Sequence, residues 1–121
     1  MAVLSLLLLL LSACAPSPTP PPHTGVEGQV FIGPMCPVVQ VGVPCPDQPY
    51  QATITVLDQS GNRVTQIQTD SQGRFRVALN AGTYVLHPES PGVMPFAAEQ
   101  SVVVIGGQFA QVVFNYDSGI R

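Results

Sequence analysis

Glycine and proline interrupt this chain too often for long helices. Eleven glycines and thirteen prolines stand among its 121 residues, and proline removes a backbone donor while glycine weakens any regular helix. After position 25 the apolar stretches between these breaks are dominated by Val, Ile, Thr, Phe and Tyr. Those are the residues that fit a half-buried pleated sheet. The expected fold class is all-β with many turns, a single domain large enough for one core without metal support.

The first stretch follows a different rule. Val3 to Leu11 is almost uninterrupted leucine, broken only by Ser5. Crossing a bilayer takes roughly 20 apolar residues, so this shorter run matches the apolar segment of a signal peptide. Leu11-Ser12-Ala13-Cys14 follows and resembles the lipobox of bacterial lipoproteins. The resemblance implies a diacylglyceryl group on the Cys14 thiol and cleavage that leaves Cys14 as the first residue. Residues 1–13 are then a signal peptide, although Met1-Ala2-Val3 lacks the usual basic residue. Two or more acyl chains anchor a protein stably, so the expected partner is a membrane, held through lipid on Cys14. The expected location is the cell envelope, on the extracytoplasmic side of a membrane. Ala15, where a retention aspartate could stand, favours the outer membrane if the organism has one.

Residues 14–24 read as a linker. Ala15 to Thr24 is APSPTPPPHT, and five prolines in that run favour extended polyproline II. Such a spacer would hold the domain about 30 Å from its anchor. His23, alone in a solvated linker, carries no ligand role.

Charge and cysteine usage narrow the function classes. Charged residues make up 9% of the chain and the net charge is −3, with four arginines and no lysine. No basic face for nucleic acid can be assembled from these. The lysine–asparagine isopeptide bond of some surface modules is impossible without lysine. With Cys14 assigned to lipid, Cys36 and Cys45 remain as a pair in an oxidising compartment. Zinc would find only two thiols and no nearby histidine, and the spacing is not that of a redox CxxC. A structural disulfide is expected, and closing so short a loop stabilises by about 2.5–3 kcal/mol on the chain-entropy model.

From Gly25 to Arg121 seven strand-like segments can be read between turn signals: Val26 to Ile32, Ala52 to Leu57, Val64 to Thr69, Arg74 to Leu79, Thr83 to His87, Ser101 to Ile105 and Phe109 to Tyr116. In the fourth, Phe75, Val77 and Leu79 face inward while Arg74 and Arg76 face solvent. Asp58 and Asp70 open turns that close on Gly61-Asn62 and Gly73. Gly106-Gly107 suits a tight hairpin between the last two segments. An antiparallel seven-stranded β-sandwich is expected.

The run Thr69-Asp70-Ser71-Gln72-Gly73-Arg74-Phe75-Arg76-Val77, followed by Leu79-Asn80-Ala81-Gly82-Thr83-Tyr84-Val85-Leu86, resembles the TD-x-x-G-x-F…PAGTY core of carboxypeptidase regulatory-like domains. Gly25 to Val30 and Ala52 to Val56 also resemble that family's first strands. The resemblance implies a transthyretin-like, or prealbumin-like, β-sandwich over residues 25–121. The segment from Cys36 to Tyr50 departs from the generic module.

Catalytic sets are hard to assemble. Nucleophile-and-base chemistry needs a histidine beside a reactive group, and His87 is the one histidine expected inside the fold. A hydrolase family of the transthyretin fold uses several histidines and a C-terminal tyrosine-arginine-glycine-serine signature. Tyr116-Asp117-Ser118-Gly119 lacks the arginine. The acidic residues are scattered mainly at turns, without the D-x-D-x-D spacing of a calcium loop. No catalytic residue, metal or cofactor is expected, and the chain reads as a non-enzyme. Candidate contact residues are Tyr50, just after the cysteine loop, and Met94 and Phe96 in the apolar, proline-rich run Ser90 to Phe96. An envelope protein or polysaccharide is the expected class of partner, and the chain itself is expected to be a monomer. Two alternatives stand beside this binding module: an accessory or inhibitor presenting the Cys36–Cys45 loop to an extracytoplasmic enzyme, and a hydrolase centred on His87, which would need an acidic neighbour within hydrogen-bond reach.

Overall fold

The computed structural model describes residues 23–38 and 41–121. The expected signal peptide, Cys14 and most of the expected linker lie outside the described residues, as do Val39 and Gln40. Eight strands run in order: β1 (Gly25–Gly33), β2 (Gln48–Pro49), β3 (Thr53–Asp58), β4 (Arg63–Gln68), β5 (Arg74–Ala78), β6 (Gly82–Pro88), β7 (Gln100–Val104) and β8 (Phe109–Asp117). They form two sheets packed face to face, the expected sandwich. Seven strands match the expected segments closely, and the two-residue β2 is added after the cysteine loop.

One sheet has the order β4-β3-β6-β7, antiparallel throughout. The other is built around β1. Along one edge β1 pairs antiparallel with β5 through Gly25–Gln29 and with β2 through Phe31 and Ile32. Along its other edge β8 runs parallel to it over its full length, from Gly25↔Phe109 to Gly33↔Asp117.

That pairing corrects two expectations. The last two segments do not form a hairpin, and the sandwich is not wholly antiparallel. Gly106-Gly107 carries the chain from one sheet to the other, so β7 joins β6 and β8 joins β1. The physical reason is burial on both sides of the turn. Val102 and Val104 point into the core from one sheet, Val112, Phe114 and Tyr116 from the other. The crossing is held by Thr24, whose buried hydroxyl accepts the Gly107 N–H at 2.9 Å.

Alternation explains the core. Val26 and Val30 on β1, Ile54 and Val56 on β3, Leu86 on β6, and Phe114 and Tyr116 on β8 are fully buried or nearly so. Phe75 and Leu79 face inward as expected, and Arg74 and Arg76 face out. Between Val26 and Val30 the strand has glycine, because a Cβ at Gly28 would strike the Val112 carbonyl of β8. Buried polar groups are paired: Thr69 accepts the Ala52 N–H at 2.8 Å and donates to the Tyr50 carbonyl at 3.1 Å.

Candidate functional site

The entry point Gly25 and the cysteine loop sit at opposite ends of β1, about 26 Å apart at the rise of an extended strand. The far end of the sandwich is where the loops gather. There the chain leaves β1 at Gly33, forms the Cys36–Cys45 disulfide with its Cα atoms 6.2 Å apart, and returns through β2. Val38, Val41 and Val43 of this loop are exposed, Val41 completely. A Cβ at Gly33, where the loop leaves, would meet the carboxylate of exposed Asp47, which a side-chain rotation can move aside.

The second loop, between β6 and β7, reaches the same end. Phe96 exchanges backbone hydrogen bonds with Asp117 at 3.0 and 2.7 Å, and Asp117 lies in register with Gly33. Ala97 beside it is buried and holds the loop down, whereas Val93, Met94 and Phe96 keep 86%, 42% and 51% of their surface.

A third segment, Asp117 to Gly119, stitches the two loops together. Ser118 donates its N–H to the Gly33 carbonyl at 2.9 Å and its hydroxyl to the Pro34 carbonyl. Gly119 packs under Met94. Its N–H donates to the Asp117 carboxylate at 2.9 Å, and Arg121 pairs with the same carboxylate at 3.0 Å. The Arg121 hydrogen bond, with help from the Gly119 N–H, holds the Asp117 carboxyl below the usual carboxylate range.

Tyr50 does not join this patch. Its ring packs edge-on against Tyr116, centroids 4.8 Å apart, and its N–H bonds to the Val30 carbonyl at 3.0 Å. Half-buried against the core, it is a packing residue; the expected exposure is corrected because its backbone is tied to β1. Tyr116 donates its hydroxyl to the Glu89 carbonyl at 2.6 Å, and its phenol is pushed up to about 12 by burial first, then by Tyr50 and Glu89.

His87 has the acidic neighbour that hydrolysis would need. Its Nδ1 lies 3.1 Å from a Glu99 carboxylate oxygen and its Nε2 3.8 Å from Glu89. The hydroxyl in this network, Thr55, donates to Glu89 at 2.8 Å and accepts from Gln66 at 3.0 Å. It offers no proton to His87, so the group makes a polar ladder on the outer sheet face and no nucleophile–base pair. Among the described residues no three His, Cys, Asp or Glu side chains are grouped to hold a metal. A depression of about 540 Å³ on the outer face of β5, β1 and β8 holds a polar network. Glu27 takes Arg76 at 3.0 Å and Gln111 at 2.6 Å, and Arg76 lies 4.0 Å over the Phe109 ring.

Sequence reasoning named Met94 and Phe96 but missed Asp117 to Gly119. The available signal was an aspartate closely followed by a glycine, as in the turns at Asp58 and Asp70, here with the glycine two positions on instead of three.

The model of the carboxypeptidase regulatory-like domain matches residues 48–116. The chain belongs to this family. Among solved structures, it is similar to a minor pilin of the Gram-positive pathogen Streptococcus agalactiae, at TM-score 0.58 and 16% identity over 79% of this chain and 45% of the pilin. It is also similar to the Bacillus anthracis TIE protein, at TM-score 0.50 and 17% identity over 79% of this chain and 18% of that one. The chain thus spans less than half of either protein, and at these identities the likeness is one of fold. No curated protein matches the sequence. The regulatory-like core begins at β2 and ends at Tyr116, so β1, the cysteine loop and the Asp117–Gly119 segment are outside the match although β1 is the centre of its sheet.

Proposed function

We propose that the protein is a lipid-anchored module of the cell envelope, held through Cys14 on the extracytoplasmic side of a membrane, whose regulatory-like sandwich binds and does not catalyse. Its contact surface is the end farthest from Gly25, made of the cysteine loop and the Met94–Phe96 loop. The observation that carries this reading is their union: both loops are hydrogen-bonded to or packed on one segment, Asp117 to Gly119, and both present aliphatic or aromatic side chains to solvent. A spacer entering at Gly25 would aim that end away from the anchor. An envelope protein or polysaccharide is the class of partner; in organisms with an outer membrane, that membrane is the proposed location.

Two measurements test the parts separately. Intact mass of protein recovered from its own membranes should give a species that begins at Cys14 and is heavier by diacylglycerol. An unmodified Cys14 ends the lipoprotein reading. Photo-cross-linkers placed at Val41 and Phe96 should form adducts on intact cells, and one at Gln66 on the open sheet face should not. Equal labelling from all three positions removes the far end as the contact surface.

The accessory reading keeps one observation in its favour. Val38, Val41 and Val43 stand exposed on a loop closed by a disulfide, a conformation with little ordering cost on binding. Inhibition of an extracytoplasmic protease, lost when Val41 becomes Asp, is the result that would select it.

A further inference from the structure

Each open sheet ends in strands whose outer backbone groups lack partners, and such edges pair with other chains unless charge, proline, a bulge or a short length deters them. This molecule protects its edges unequally. β2 has two residues, and β5 beside it carries Arg74 and Arg76. β4 begins with Arg63 and is thrown out of register with β3 between Val56 and Leu57. β8 is interrupted twice: the Gln100 side chain donates to the Val113 carbonyl at 2.7 Å, and Phe96 bridges Asp117.

β7 has none of these devices. Among the described strands it pairs only with β6. No charge and no proline occurs from Gln100 to Tyr116. Val102 and Val104 are buried beneath it, while Val103 and the following Ile105 keep 60% and 55% of their surface on the outside.

We propose that β7 pairs with β7 of a second copy, antiparallel about a two-fold axis, joining two β4-β3-β6-β7 sheets into one. A two-fold contact sets each edge against itself. An edge that carries charge then gathers like charges into one small contact, as the arginines of β4 or β5 would. β7 is neutral in a chain of net charge −3, so its self-pairing brings no like charges together. Valine against valine or serine supplies the cross-strand pairs that favour an antiparallel ladder. The sequence reading expects a monomer; the unguarded edge argues for a pair, with or without a lipid anchor.

The test is disulfide trapping of the full chain in its own membranes. A variant with both Ser101→Cys and Val103→Cys should double in apparent mass under oxidation, reversibly with reductant, and Gln66→Cys on the opposite edge of that sheet should not. Equal doubling from Gln66→Cys would mean random collision and overturn the proposal. A β7 adduct of any other mass would put a foreign strand on the edge and overturn it as well. So would the absence of any β7 band. As a control for misfolding of the cysteine variant, the unaltered chain in detergent should sediment at twice the mass of Val103→Lys. Identical monomeric masses would also overturn the pairing.

Discussion

Asp58-Gln59-Ser60-Gly61-Asn62 and Asp70-Ser71-Gln72-Gly73-Arg74 are built on one plan. In each, the aspartate carboxylate accepts the N–H groups two and four residues on, at 2.8–2.9 Å. In each, a glycine three residues on has a positive φ, 85° and 73°, and donates back to the aspartate carbonyl. The first turn closes the β3–β4 hairpin in open solvent, and a Cβ at Gly61 would meet nothing. The second carries the chain between the sheets. Gly73 accepts the Val30 N–H at 2.8 Å, and a Cβ there would strike the Val30 carbonyl and lie 3.1 Å from the Tyr50 nitrogen. Identical local chemistry thus serves once as a loop end and once as a joint between layers. What a turn contributes depends on what it touches.

The largest expected effect follows from the joint. Gly73→Ala adds steric collision to left-handed strain and should destabilise by about 3 kcal/mol, against about 1 kcal/mol for Gly61→Ala, measured by denaturant unfolding. Equal losses would break the comparison. Asparagine separates the two causes, since it tolerates the left-handed region but still needs room. Gly61→Asn should therefore cost only about 0.5 kcal/mol, whereas Gly73→Asn should stay near the alanine value. The aspartates come next and should look alike, because their acceptors serve exposed N–H groups in both turns: Asp58→Ala and Asp70→Ala each lose about 1 kcal/mol.

The smallest effect belongs to a looser relative of these turns, Asp117-Ser118-Gly119, where the carboxylate accepts the N–H two residues on and also holds Arg121. Its folded pKa lies below the ordinary 3.8. The group therefore adds stability above the unfolded value and loses it as pH falls below 3.8 through the folded one. The Gly119 amide resonance should titrate with a midpoint under 3.8, and Arg121→Gln should raise that midpoint. An unchanged midpoint would show that Arg121 does not set it.

The turns were legible because everything that makes them is local: an aspartate, a glycine three positions on, and apolar alternation resuming at Phe75. For the same reason, the strand limits read from sequence fall within a residue or so of those observed. Which sheet a strand enters is not local. Gly106-Gly107 is compatible with a hairpin, and only the partnership of β8 with β1, more than eighty residues earlier, decides otherwise. Tyr50 failed for a related reason. Its neighbours in sequence are polar, but Val30 and Tyr116, which bury it, are remote. Met94 and Phe96 were readable as apolar residues in a loop, and the segment that fastens them to the cysteine loop was not.

The parallel alignment of β1 and β8 has a mechanical meaning. Tension applied between Gly25 and the Asp117 end runs along both strands, so it would slide one past the other. All nine register pairs from Gly25↔Phe109 to Gly33↔Asp117 would share that load at once, where a hairpin pulled from its open end would part rung by rung. A partner gripping the far loops while a tether holds Gly25 would pull the molecule in the direction in which it is hardest to tear.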